Sequence, residues 1–470
     1  MKNFLALLFL SLTWQGLAQK ITISDPFSVR TDDKYEFIGK IKNQYLVFHD
    51  KGVEFEIKAF DEEMHTAWEK EIELEKRRTK VLGVVPGRDG FAVVYTHRKK
   101  RKLNVMVSRF TPSANLLDTA TVKHFGNQLL TPNLQVIRSE DRKTILIYQI
   151  KEQKKIEATA FSLENMEVLW ERTLQPDGMA YYETYEQMLV NNQGDLFIIL
   201  KKDNRKNKKD EHHYEIHKIT RENDYNFFSI HMQDRLTYDV NFSFDNKNDL
   251  LLAGGLYSNK NRGRANGYFF LSIPPEDPTS HKLIFETFNE ELTNRFIGKK
   301  ADAKKGVADV DIQEIVHRHD GGALLIIERN RHLERGNGGA RVGYAGGRTF
   351  VDYYYDDVLV VSMHPDGQKH WEQVLHKKQY SQDDDAIFSS YFLLKTPASL
   401  RFIFNDEIKL ENTVSEYVLN GNGDFERNSV LSTDDQRIQL RFAHAMQVGS
   451  NEFVVPSVLR SKMKLIRVMY

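Results

Sequence analysis

Several groups of residues in this 470-residue chain could do chemistry. Lys and Arg gather in short runs, notably Lys99-Lys100-Arg101 and the stretch that holds Lys206 and Lys209. A fixed patch of one sign draws anionic partners in a salt-dependent way. The segment from Arg329 to Tyr355 carries six glycines between Gly336 and Gly347, contains Arg341 and Arg348, and ends on Tyr353, Tyr354 and Tyr355. Glycine allows close backbone approach and arginine clamps carboxylate or phosphate bidentately. No Gly-Lys-Ser/Thr closes the segment, so it is not a phosphate loop. His213 and His217 share one face of a strand, as do His317 and His319, but a histidine pair is half a zinc site. Those histidines, with His212 and the run Asp383-Asp384-Asp385, read as structural or solvated, and no metal or cofactor is expected. No nucleophile, base and orienter stand together at readable spacing, so no catalytic residue is assigned.

The elements that must position these groups begin after a leader. One charge at Lys2, an apolar core from Phe4 to Leu12 and a small-residue end at Gly16-Leu17-Ala18 predict a signal peptide over residues 1–18, with export to the periplasm, cell surface or exterior. Nine residues are too few to span a bilayer, and no later run is long enough, so no transmembrane span is expected in the mature chain. Cysteine is absent, so neither disulfides nor thiolate metal sites can stabilise an exported chain, and an apolar core must do so. Lys plus Arg and Asp plus Glu both number 66, which gives no net charge and conceals a segregation by loop.

Short apolar runs recur at roughly 50-residue spacing, the signature of a repeat architecture. They are Tyr45 to Phe48, Phe91 to Tyr95, Thr144 to Tyr148, Leu196 to Leu200, Leu250 to Ala253, Ala323 to Ile327, Leu400 to Phe404 and Phe453 to Val455. Each is too short for a typical helix and apolar on both faces, as a strand buried between two sheets is. Around the second run four strands fit, Val81 to Val85, Phe91 to Tyr95, Leu103 to Phe110 and Leu116 to Val122, which make one propeller blade. The fold expected is all-β: residues 19–470 as a single β-propeller of about eight four-stranded blades, with insertions at 289–310 and 328–352. The last copy is incomplete and Ile21 to Ile23 belongs to none. An N-terminal strand that completes the last blade would remove the open sheet edges there. Membrane-barrel strands would alternate apolar and polar, which Ala323 to Ile327 does not.

The most visible repeat is Phe60-Asp61 to Trp68-Glu69, Phe161-Ser162 to Trp170-Glu171 and Met363-His364 to Trp371-Glu372. Trp is followed four residues later by Ile72, Leu174 or Leu375, on the same side of a strand, and reads as outer-strand packing against the next blade. This unit resembles the repeats of PQQ-type propellers, a class that includes an outer-membrane assembly lipoprotein and the quinoprotein dehydrogenases. The dehydrogenases' vicinal cysteine pair is missing, so the resemblance implies fold and not quinone chemistry. The stretch from Tyr353 through Trp371 to Ser389-Ser390 looks like uncharacterised exported proteins of the Bacteroidota, which implies a lineage and no activity.

In a four-stranded blade the second-to-third hairpins and the links between blades emerge on one face. The long segments 201–213, 258–267, 289–310, 328–352 and 376–388 all fall there, and long loops on a rigid scaffold are where binding sits. The eight second-to-third tips hold 25 Lys and Arg against 9 acids. The expected function is therefore a non-enzymatic binding or scaffold propeller at the cell envelope. Its basic face would hold an anionic envelope component (protein, glycan or lipid) or an acidic protein surface through Lys99, Lys100, Arg101, Lys206, Lys209, Arg341, Arg348, Tyr353, Tyr354 and Tyr355. Nucleic acid is not expected, since no recognition motif is present. The alternative is a glycan-acting hydrolase or lyase with its site in the Gly/Tyr-rich insertion, where Asp356 and Asp357 adjoin the tyrosines.

Overall fold

Every one of the eight apolar runs is the second strand of an antiparallel sheet, with a neighbouring sheet packed on each of its faces. The computed structural model describes residues 19–470 apart from 31, 76–78, 100, 128–129, 223, 261–262, 299–302, 337–348, 407, 409–412 and 433–437. The leader 1–18 and the residues Lys100, Arg341 and Arg348 therefore lie outside the described residues. The strands fall into eight sheets of four principal strands each, an eight-bladed propeller. Blade 1 spans residues 34–72, blade 2 79–127, blade 3 135–174, blade 4 185–231, blade 5 236–287, blade 6 310–375 and blade 7 392–432. Blade 8 takes three strands from 446–469 and its fourth from Lys20–Ile23.

The second strands are apolar on both faces because each residue parity serves a different neighbour. In blade 1, Leu46 and Phe48 pack with Val84, Phe91 and Val93 of blade 2, while Tyr45 and Val47 pack with Val454 and Leu465 of blade 8. Similar clusters fill every seam round the ring, so the core is a circle of interfaces between sheets. Burying one such Leu or Ile side chain contributes about 1.5–3 kcal/mol. Lys20–Ile23 runs antiparallel to Lys462–Met469, with Ile21 opposite Val468, and both isoleucines of the strand join the seam between blades 7 and 8. The predicted closure is thus present.

The repeated tryptophans lie on outer strands. Trp170 Nε1 donates to Gly194 O of blade 4 (3.3 Å) and Trp371 Nε1 to Gly421 O of blade 7 (3.0 Å). Trp68 bonds instead to Gln44 Oε1 of its own blade (3.2 Å), while its ring packs on the blade 1/blade 2 cluster. Gly423 answers Trp371: its φ is +91° and a Cβ would sit 2.7 Å from the indole, so the turn needs glycine.

First-to-second turns are short, for example between Ile41 and Gln44 and between Gly449 and Glu452, and they occupy the face opposite the long loops. The link from blade 5 to blade 6 contains the helix Glu290–Ile297, which Asn289 caps by accepting from Leu292 N at 2.8 Å. Its Leu292 and Phe296 are buried in the seam between those blades. Among the described residues no helix is long and apolar enough to cross a membrane.

Candidate functional site

The loop-rich face sorts its cations into two sets. At the roots of the hairpins they are paired: Lys201 with Glu186 (2.5 Å), Lys202 with Glu215 (3.1 Å), Lys151 with Glu157 (2.8 Å) and Lys51 with Glu56 (3.0 Å). At the tips some are paired, as Arg205 is with Glu183 (3.5 Å), and others are free. Lys99 and Arg101 flank the blade 2 hairpin turn, where Arg101 has φ +69°, and both are exposed. Lys206 and Lys209 are exposed on the blade 4 tip, and none of these four side chains has an ion-pair partner among the described residues.

The blade 4 tip is held rigidly beneath those lysines. Asn204 exchanges two hydrogen bonds with the Thr237 backbone of blade 5, at 2.6 and 3.2 Å. His212, 1% exposed, sits with Nδ1 2.7 Å from Lys202 O and Nε2 2.8 Å from Thr237 Oγ1. Burial pushes its imidazole down to about 4, so the ring is neutral and structural at physiological pH. Lys208 folds back onto Asp203 (3.2 Å) and Glu211 (2.9 Å) and turns Lys206 and Lys209 into the outward pair.

Blade 6 departs most from its neighbours. Its second strand, Ala323–Gly336, and third strand, Thr349–Met363, run past the blade as a hairpin, and Gln379–Gln382 adds to the third strand through Tyr354↔Tyr380 and Tyr355↔Gln379. Much of 328–352 is therefore strand. The three tyrosines split by alternation. Tyr353 and Tyr355 share a side with His332, whose ring centroid is 4.9 Å from that of Tyr353 and whose Nε2 is 3.1 Å from Tyr355 Oη. Burial, with the Glu328 carboxylate as the next cause, pushes the Tyr355 phenol up to about 12. Tyr354 faces the other way, beside Arg331 and Tyr380.

Two buried carboxylates hold this extension. Glu328 is 0% exposed; Lys377 Nζ lies 2.5 Å from its Oε1 and Ser390 Oγ donates to its Oε2 at 2.7 Å. Lys377 also donates to Gln379 Oε1 (3.0 Å), whose amide reaches Asn405 O of blade 7 (2.7 Å). Asp352, 1% exposed, accepts from Arg335, from Tyr380 Oη (2.9 Å) and from Gln382 Nε2 (3.0 Å). The Arg335 hydrogen bond holds that carboxyl below the usual range.

The other singled-out residues have local tasks. Asp383 Oδ1 accepts from Val351 N (2.8 Å) and Asp384 Oδ1 from Ser381 Oγ (2.8 Å) and Ala386 N (3.0 Å), so these two acids shape a turn. His217 contacts Tyr225 Oη (2.7 Å), His317 contacts Ser243 Oγ (2.7 Å), and His319 contacts Lys247 Nζ (2.7 Å). Asp357 bonds Lys377 N (3.2 Å) and pairs with His376 (3.2 Å), and Asp356 lies 3.8 Å from Arg329. Among the described residues no group of three or more His, Asp or Glu could hold a metal ion.

Two clefts were not legible in the sequence. One, of about 630 Å³, opens on the loop-rich face between the N-terminal segment and the blade 8 hairpin tip and is lined by Ser28, Arg30, Asp32, Arg460, Ser461 and Lys462. The other, of about 370 Å³, lies on the tight-turn face between blades 2 and 3, with Arg88, Arg142 and Lys143 round an apolar floor. Asp239 accepts from Ile312 N of blade 6. Desolvation, with Asp311 as the next cause, raises its carboxyl to about 6.

No family model matches the chain, so the resemblance of its repeat unit to PQQ-type propellers finds no support there. No curated protein matches it either. Solved structures similar to it include an uncharacterised protein of Listeria monocytogenes, at 11% identity over 77% of this chain and 86% of that one, TM-score 0.39. The β-propeller domain of the Trilobed protease of Pyrococcus furiosus matches at 9% identity over 87% and 98%, TM-score 0.38. Dipeptidyl peptidase 4 of Porphyromonas gingivalis matches at 9% identity over 92% of this chain and 56% of that one, TM-score 0.47.

Proposed function

We propose that this protein is a non-enzymatic binding or scaffold propeller of the cell envelope, exported by its N-terminal leader, that holds an anionic macromolecule against its loop-rich face. The observation that carries the reading is a set of four unpaired tip cations standing beyond hairpin roots whose lysines are paired. Lys99 and Arg101 on blade 2, and Lys206 and Lys209 on the anchored tip of blade 4, have no ion-pair partner among the described residues. Unpaired charges need break no internal ion pair to bind, and they steer polyanions at long range. Their spread over separate blades suits a polymer or an extended surface better than a small ion.

The test is binding of the purified protein to dextran sulfate, polygalacturonate, anionic vesicles and acidic envelope proteins at low and high salt. A variant with Lys99, Lys100, Arg101, Lys206 and Lys209 changed to Ser is measured beside it. The reading predicts binding to at least one of these that weakens with salt and that the variant loses by more than about tenfold, or 1.4 kcal/mol. Equal binding by both proteins, or none by either, contradicts it.

A further inference from the structure

We infer that the anionic macromolecule is an acidic polysaccharide, one sugar unit of which seats on an arginine–tyrosine platform on blade 6; this rests on the reading above and gives its ligand class. The platform is Arg331, Tyr354 and Tyr380, which stand opposite one another across three antiparallel strands. Arg331 Cζ lies 4.7 Å from the Tyr354 ring centroid, and the Tyr354 and Tyr380 centroids are 5.1 Å apart at 44°.

The platform is built in advance of any ligand. Asp352, buried beneath it, takes the Tyr380 hydroxyl, the Gln382 amide and the Arg335 guanidinium, which holds the Tyr380 ring in place. Tyr380 is nonetheless 45% exposed, so a ring with a satisfied hydroxyl offers its face to solvent. Arg331 is exposed and has no carboxylate partner among the described residues. Resting on a ring, a guanidinium keeps its in-plane N–H groups free, the geometry that meets a carboxylate or sulfate bidentately.

The combination fits a uronate or sulfated sugar. A pyranose presents C–H groups that pack on aromatic faces and an equatorial rim of acidic and hydroxyl groups that suits Arg331. The patch is too small for a protein partner. Among the described residues its exposed apolar part is the Tyr380 ring and Leu333, far short of the apolar half of the roughly 800 Å² per side of a stable protein interface. The free cations of blades 2 and 4 lie on the same face, where a longer chain would meet them and a single monosaccharide would not.

The experiment compares polygalacturonate with poly-L-glutamate, a polyanion without sugar rings, and with anionic vesicles, against wild type, Arg331→Gln, Tyr354→Ala, Tyr380→Ala and Tyr380→Phe. Wild type is expected to bind polygalacturonate more tightly than poly-L-glutamate. Arg331→Gln and both alanine variants should weaken polygalacturonate about tenfold, and the alanine variants, which keep the cation, should leave poly-L-glutamate unchanged. Tyr380→Phe, which keeps the ring, should lose less than Tyr380→Ala. If an alanine variant fails to fold, Arg331→Gln, a surface change, decides. Equal affinity for the two polymers, unchanged binding by Arg331→Gln, or vesicles that displace the polysaccharide would overturn the platform while leaving the charged face standing. Absence of binding to every polyanion by wild type overturns both.

Discussion

At the scale of residues, the seams on either side of blade 8 share one device. Between blades 8 and 1, Glu452 takes the Tyr45 hydroxyl, the Arg467 guanidinium and Lys40 Nζ (3.2 Å). Between blades 7 and 8, Glu416 takes Arg401 (2.7 Å) and the hydroxyl of Tyr470 (2.5 Å), whose ring lies 3.8 Å from Arg401 Cζ. Removing one partner of a buried pair leaves the others uncompensated, so Glu452→Gln is expected to cost about 3 kcal/mol in chemical denaturation at pH 7. Burial alone would raise the Glu452 carboxyl, but the hydrogen bonds from Tyr45 and Arg467 hold it below its ordinary 4.5. A depressed carboxyl contributes stability above the unfolded value and loses it as pH falls through the folded one, so the gap between wild type and Glu452→Gln should narrow below pH 4.5. A gap under 1 kcal/mol at pH 7, or one that widens in acid, would count against the seam. Residues that repeat in phase with the fold, such as Trp170 and Trp371, were legible in the sequence. Glu452 and Glu416 were not, because their partners lie in other strands or blades and no local spacing marks them.

At the scale of elements, the strand Lys20–Ile23 closes the ring, and its need was legible because the last copy lacked a fourth strand and Ile21 to Ile23 lacked a copy. The chain has no cysteine, so one engineered pair reports on this pairing without competition. Lys20 lies opposite Met469. Lys20→Cys with Met469→Cys is expected to oxidise readily, to run faster on a non-reducing gel because nearly the whole chain is looped, and to gain about 3–5 kcal/mol over the reduced form. Failure to cross-link, or a cross-linked form no more stable than the reduced one, would place the N-terminal strand elsewhere. The blade 6 extension was only half legible. Glycines and tyrosines flagged the segment, but the strand it forms with Gln379–Gln382, and so the meeting of Arg331, Tyr354 and Tyr380, depends on pairing across a link that carries no turn signature.

At the scale of the whole molecule, the two faces of the ring differ. One carries short turns tied blade to blade, as Asn192 N to Asn246 Oδ1 (2.8 Å) and Asp141 N to Asn192 Oδ1 (2.9 Å), and the other carries the long hairpins and links. The excess of cations at the tips was countable from sequence. The neutralisation at the roots, as in Lys201 with Glu186, was not, because each acid comes from another strand or an adjoining link. The most direct measurement is amide hydrogen exchange of the full-length protein with and without saturating dextran sulfate. Binding through the loop-rich face predicts protection at 97–102, 203–212 and 329–336 and none at the turns 87–90, 191–195 and 318–322. Protection confined to those turns, or to the cleft beside Arg88, Arg142 and Lys143, would contradict it.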